Sequence, residues 1–395
     1  MLRRIAVAAL TAAAATVVAV SVLSEDETGP AVSTSSKAAA RPARSDARSA
    51  PDPALRQHSE RPGGGTKRAA PADGRIPTPG DLIISGVTGL TASPDLLRRI
   101  RAGRVAGVLL LGPNISTVPQ VQKLTRSVRT AAAEGGQLPP LIMVDQEGGI
   151  VKRFRSAHPY ASARDLRLLA PEEVERQGRL TGRDLVARGV NVDLAPVADV
   201  ARRADNFLAS RAFAGEPDRV ARYACRFAAG LRRAGIATAL KHFPGLGGAG
   251  SANTDDGPVT VTGSISLLRT DWEPYVRCGD APRTLVMVSN AVYPAMTGSL
   301  PAVLAVRTYS ALRSLGVQGP VVTDGLEASA LDGLRDVAVR AVRAGADLLL
   351  YTSEARAQTA WAELSAAVSD GRVSRAVLRD RARRVSVLRR GVGGS

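Results

Sequence analysis

Aromatic residues make up only 3% of this 395-residue chain, and lysine is rarer still, with Lys37, Lys67, Lys123, Lys152 and Lys241 as the only five. So few rings leave no stacking platform for single-stranded bases. The formal charge of +17 is therefore an arginine charge. It is spread with alanine through every segment rather than gathered into a patch, and it does not read as a nucleic-acid site. A weak attraction to anionic polymers at a cell surface is its natural use. Histidine is nearly absent, as His58, His158 and His242, and there are two cysteines, Cys225 and Cys278. No His/Cys cluster with ligand spacing exists, so neither a metal nor another cofactor is expected. "GGAGSA" (247–252) lacks the Gly-Lys-Ser/Thr that would make it a phosphate loop.

Long apolar runs are missing except at the start. Arg3 and Arg4 precede an apolar stretch from Ile5 to Val20, and Ala19-Val20-Ser21 has the small residues of a cleavage site. Residues 1–23 thus read as an export signal, or, since the run continues to Leu23, as an uncleaved membrane anchor. No cysteine follows to carry a lipid. Residues 24–78, including "RPGGGTKRAAPADG", are rich in Ala, Arg, Pro and Gly without apolar periodicity. Such a segment cannot bury enough surface to offset its ordering entropy, and it reads as a disordered tether. The folded part is expected over 79–392, on an extracellular or cell-surface protein.

Within that part, short apolar runs alternate with amphipathic stretches. The runs are 82–84, 107–111, 141–144, 192–197, 237–243, 284–288, 320–323 and 346–351. Each is apolar on both faces, as parallel strands covered by helices require. Helical patterns fill the gaps at 117–134, 171–188, 217–234 and 336–344, several opening on Ser, Thr, Asp or Pro. Eight β-α repeats predict an α/β TIM barrel, with a doubly wound open sheet as the runner-up. A barrel places its site at the C-terminal strand ends. Those ends carry Asp145, Glu147, Asp199, Lys241, His242, Asn290 and Asp324. A barrel also makes Cys225, after the fourth strand, and Cys278, after the fifth, neighbours on the outer ring. In an exported protein they are either bridged or a pair of buried thiols.

Five segments occur in order: "VDQEGGIVKRF" (144–154), "NVDLAPVADV" (191–200), "SRAFAG" (210–215), "KHFPGLG" (241–247) and "GPVVTDGLEASAL" (319–331). Together they resemble glycoside hydrolase family 3, in its single-barrel β-N-acetylglucosaminidase branch. The resemblance implies a retaining hydrolase of terminal β-linked N-acetylglucosamine, acting on peptidoglycan fragments or chitooligosaccharides. It implies Asp324 as the nucleophile. It also implies Asp145, Arg153, Arg211, Lys241 and His242 as the groups that hold the terminal sugar's hydroxyls. Charged hydrogen bonds are strong enough to orient a polyol.

The same resemblance exposes gaps. The branch carries an Asp-Ser-His in the loop after the fifth strand, whose aspartate-held histidine is the acid/base. An ungapped alignment from Lys241 to Pro258 puts Ala252, Asn253 and Thr254 there. Leu246 and Asn290 also stand where histidines are usual, and Ile150 where an arginine is. A threonine hydroxyl is far too weak an acid to protonate a leaving group. Asp255 and Asp256 follow in what reads as a mobile loop, and either carboxyl is a candidate donor if its surroundings raise its pKa. Two functions therefore stand side by side: a slow glycosidase using Asp324 with a proton from Asp255, Asp256 or water, and a sugar-binding barrel that has lost turnover.

Overall fold

The computed structural model describes residues 75–392. The signal or anchor, His58 and the tether as far as residue 74 lie outside the described residues. The last four tether positions belong to the folded body instead: Arg75 pairs with the Asp81 carboxylate, and Thr78 donates its hydroxyl to the Gly103 carbonyl at 3.1 Å. Among the described residues no helix is long and apolar enough to cross a membrane.

Eight parallel strands close into a barrel. They are β1 (Ile83–Gly86), β2 (Gly107–Leu110), β3 (Leu141–Val144), β4 (Val192–Asp193), β5 (Ala237–Phe243), β6 (Thr284–Val288), β7 (Val321–Gly325) and β8 (Leu348–Leu350). Every strand pairs with its sequence neighbour, and β1 closes on β8 through Ile83 opposite Leu349 and Ile84 opposite Leu350. All strand positions are buried except the last two of β7, Asp324 and Gly325. This is the pattern of a sheet filled inside by side chains and covered outside by helices. The barrel expectation holds and the open sheet does not.

The fourth strand is shorter than its apolar run. Regular pairing ends at Asp193, because Pro196 has no N–H to give a ladder. Beyond it the contact with β5 continues irregularly: Ala239 and Lys241 donate N–H to the Ala195 and Pro196 carbonyls, and Val197 bridges Lys241. The covering helices start on local signals. Ser93, Thr117, Ser353 and Ser374 each cap a helix by accepting a backbone N–H with the side-chain oxygen, and Pro171 and Pro217 open two others.

Cys225, in the helix Pro217–Arg233, and Cys278, at the end of Glu273–Cys278, form a disulfide with Cα atoms 5.8 Å apart. Of the two alternatives for this pair, the bridge is the one present. A short antiparallel hairpin, Gln146–Gly148 with Val151–Lys152, interrupts the path from β3 to its helix. Its turn needs positive φ at Gly148 (+94°) and Gly149 (+56°), and a Cβ on Gly148 would run into the Ala161 carbonyl. Glycine at both positions lets the hairpin fold over the mouth of the barrel.

Candidate active site

The C-terminal strand ends enclose a cavity of about 220 Å³. Lys241, near the end of β5, is buried to 2% exposure. Its ammonium lies 2.7 Å from Asp145 Oδ1 and 2.6 Å from Glu147 Oε1. Glu147 also takes Arg211 by both oxygens, from Nε and Nη2, each at 2.8 Å. Asp145 and Glu147 are two residues apart in extended chain, so their side chains leave one face together. Burial alone would raise the Glu147 carboxyl, but Lys241 and Arg211 outweigh it and hold it at about 2. The ammonium in turn is raised by Asp145 and Glu147 against the effect of burial. Arg153 reaches over from the hairpin, 3.7 Å from Asp145. Beneath this group Asp193, at the end of β4, is fully buried and accepts the Gln146 N–H at 3.0 Å. Burial, and then the charges of Asp145 and Glu147, push its carboxyl well above the usual range in spite of Lys241.

His242 is fixed by a carboxylate of its own. Asp199 Oδ2 lies 2.7 Å from Nδ1 of the ring and accepts the His242 backbone N–H at 3.1 Å, while Oδ1 accepts the N–H of Leu246 at 2.7 Å. Asp199 thereby sets both the ring and the start of the following loop. The ring's other nitrogen remains for a ligand in the cavity that His242 lines.

Asp324 faces this cluster from the end of β7. Its Oδ1 accepts the N–H of Gly325 at 2.8 Å, and among the described residues no lysine, arginine or histidine pairs with its carboxylate. The 245–257 loop is less free than its glycines suggest. Thr254 is buried, and its carbonyl accepts the Ala330 N–H at 3.1 Å, from the segment that follows Asp324. Asp255 then lines the cavity. Burial first, and the charge of Asp324 second, raise its carboxyl above the ordinary range, against His242 and Arg211. Asp256 is exposed and does not line the cavity.

The structure thus brings together Asp324, Asp145, Arg153, Arg211, Lys241, His242 and Asp255, and leaves Asp256 outside. Glu147, Asp193 and Asp199 join them without having been assigned a role from sequence. The Asp145-Gln-Glu147 alternation was the signal for the first of these. His158 sits elsewhere, with Nδ1 2.8 Å from Asp184 of an outer helix. Asn290 donates to the Gly325 carbonyl at 2.8 Å and so steadies the peptide beside Asp324. Leu246 lines the cavity as an apolar wall, while Ile150 projects from the hairpin tip.

The sequence profile described as "Glycosyl hydrolase family 3 N terminal domain" matches residues 86–388. An uncharacterised secreted glycosyl hydrolase of Arthroderma benhamiae is 31% identical over 78% of this chain and 91% of its own length. The β-hexosaminidase LpqI of Mycobacterium tuberculosis is 32% identical over 68% of this chain and 71% of its own. Among solved structures, a glycoside hydrolase family 3 β-N-acetylglucosaminidase from a Paenibacillus species superposes with a TM-score of 0.76 at 31% identity. That match covers 80% of this chain and 62% of the longer neighbour.

Proposed function

The chain belongs to glycosyl hydrolase family 3 and is a glycosidase of the β-N-acetylhexosaminidase type, acting on O-glycosyl bonds; from that premise we propose that it is an exported, retaining enzyme that removes terminal β-linked N-acetylglucosamine from peptidoglycan- or chitin-type oligosaccharides. One observation carries the reading. Among the described residues Asp324 stands at the cavity without a cationic partner, and the same cavity holds an array of Asp145, Arg153, Arg211, Lys241 and His242. A nucleophile must keep its lone pairs available, whereas sugar-holding groups must be immobile before the sugar arrives.

In this mechanism the array binds the hydroxyls of the terminal sugar and presents its anomeric carbon to Asp324. The carboxylate forms a C1–O ester as the glycosidic C1–O bond breaks and the departing oxygen takes a proton. Water then attacks C1, and Asp324 leaves as a carboxylate, so the β configuration is retained.

The test is hydrolysis of an aryl N-acetyl-β-glucosaminide, with the anomer released first read by NMR. Enzyme quenched during turnover is digested to find a hexosamine mass on the Asp324 peptide. Initial release of the α anomer, or a label on another peptide, would overturn the mechanism. Ala252 and Thr254 at the dyad positions favour a second reading, a barrel that binds the sugar without turning it over. That reading expects calorimetric binding of N-acetylglucosamine with no phenol released.

A further inference from the structure

We propose that Asp255 alone serves as the acid and base of this site, a single carboxyl in place of an aspartate–histidine pair. The proposal rests on the reading of Asp324 as nucleophile, and it explains how that nucleophile would work where Ala252 and Thr254 offer only a methyl group and a hydroxyl.

The geometry selects Asp255 in three ways. It lines the same cavity as Asp324, which Asp256 does not. Its backbone is held rather than loose: Thr254, its neighbour, is buried and tied at 3.1 Å to Ala330, six residues past Asp324, and its own N–H reaches Asn253 Oδ1 at 3.3 Å. The loop bearing one carboxyl is therefore fastened to the loop bearing the other. Finally, Asp255 forms no ion pair among the described residues, so its carboxyl is not committed elsewhere.

The charged groups that face it come from three elements. Asp324 lies on β7, His242 at the end of β5, and Arg211 on the loop after β4. Arg153, Lys241, Asp145 and Glu147 lie in the same cavity, already paired with one another. Burial at the mouth and the negative charge of Asp324 both favour the protonated form of Asp255, with His242 and Arg211 opposing. This arrangement changes through the reaction. In the free enzyme Asp324 is charged and Asp255 keeps its proton, ready to give it to the glycosidic oxygen as C1–O breaks. Once Asp324 is esterified its charge is gone, and with it one of the two influences that favour the proton on Asp255, burial being the other. The Asp255 carboxylate then takes a proton from the attacking water, whose oxygen forms the new bond to C1, and Asp324 is released. One water is consumed and both carboxyls return to their starting states. The loss of the nucleophile's charge on esterification favours the switch from acid to base.

The experiment compares wild type, Asp255→Asn and Asp255→Ala on two substrates. One is a nitrophenyl N-acetyl-β-glucosaminide, whose leaving group needs no proton; the other is the β-1,4-linked N-acetylglucosamine disaccharide, whose leaving group does. Asp255→Asn is expected to lower kcat/KM on the disaccharide by roughly 10²- to 10⁴-fold, and on the aryl glycoside by far less. The alkaline fall of the disaccharide rate seen in wild type should vanish in the variant, because only protonated Asp255 delivers. Added azide should speed Asp255→Ala on the aryl glycoside and give the β-glycosyl azide, since an anion can attack C1 without a base. Unchanged melting temperatures would exclude misfolding, as no ion pair among the described residues engages the Asp255 side chain.

Equal losses on both substrates, an alkaline limb that persists in Asp255→Asn, or the selective loss appearing in Asp256→Asn instead would each overturn the proposal. Asp324-dependent turnover that ignores Asp255 would do so while leaving the nucleophile intact. No wild-type turnover of the aryl glycoside would overturn both.

Discussion

Glu147 grips the guanidinium of Arg211 with both carboxylate oxygens, each contact 2.8 Å long, and one of those oxygens also receives the Lys241 ammonium at 2.6 Å. This bidentate pair is buried, and it links a hairpin after β3, a loop after β4 and the end of β5. Three separate pieces of chain are thus held to one geometry before any sugar enters. The stability of the fold and the shape of the sugar pocket depend on the same charges.

That dependence has a pH signature. The Glu147 carboxyl is lowered to about 2 in the folded protein from an ordinary 4.5. A depressed carboxylate contributes its full stabilisation above the unfolded value, and the contribution is lost as pH falls from 4.5 toward 2. The shift corresponds to something on the order of 3 kcal/mol. Thermal melts of wild type and Glu147→Gln should differ most at neutral pH and converge between pH 5 and about 2. A gap that stays constant across that window would show that Glu147 acts by packing alone.

Replacing Lys241 tests the other side of the cluster. Lys241→Met keeps the buried stem but leaves Asp145 and Glu147 without the ammonium that both contact. Removing one partner of a buried pair costs about 3 to 5 kcal/mol, so a marked fall in the denaturation midpoint is expected. Adding Glu147→Gln to the same chain should recover part of it, because an uncompensated charge is then removed. Additive losses would argue that the two side chains act independently.

The Cys225–Cys278 bridge closes a loop across a sequence separation of 53 residues. Chain-entropy arguments put its effect at about 4 kcal/mol. Replacing both cysteines by alanine should lower the unfolding free energy by roughly that amount, with the glycosidase rate unchanged at a temperature where both proteins are folded. Alkylation before reduction should modify neither cysteine in the native protein.

Much of this was legible in the sequence, because parallel strands buried on both faces leave continuous apolar runs. Seven of the eight runs become strands close to their expected bounds. The eighth, at 192–197, extends past its strand, since apolar character continues to Val197 while Pro196 has no N–H to give the ladder. Asp145, Lys241 and His242 are legible because they lie at strand ends, Arg153 and Arg211 only through the resemblance to the family. Glu147, Asp193 and Asp199 were not assigned roles, because what they do is hold another side chain, and sequence spacing does not reveal which cation a carboxylate meets. Asp255 and Asp256 could not be told apart, since neighbouring residues in a loop have no period to sort them. The cavity makes the distinction, since Asp255 lines it and Asp256 does not.

The nucleophile offers the sharpest separation of activity from stability. Asp324 ends a buried strand but is itself only half-buried, and its hydrogen bond comes from the adjacent Gly325 N–H. A carboxylate that stabilises a fold engages cations or several donors, as Glu147 and Asp199 do here. Asp324 has no such engagement among the described residues, and near Asp255 its charge is even unfavourable. Asp324→Ala should therefore leave the melting temperature within a degree or two, an effect under about 0.5 kcal/mol. The same change removes the atom that bonds to the anomeric carbon, and the rate on any substrate, activated aryl glycosides included, should fall by roughly 10³-fold or more. Leaving-group quality offers no rescue, because a good leaving group replaces the acid but not the nucleophile. A folded Asp324→Ala protein that still turned over the aryl glycoside at the wild-type rate would move the nucleophile elsewhere. A variant that failed to fold would show instead that the carboxylate had been holding the end of β7.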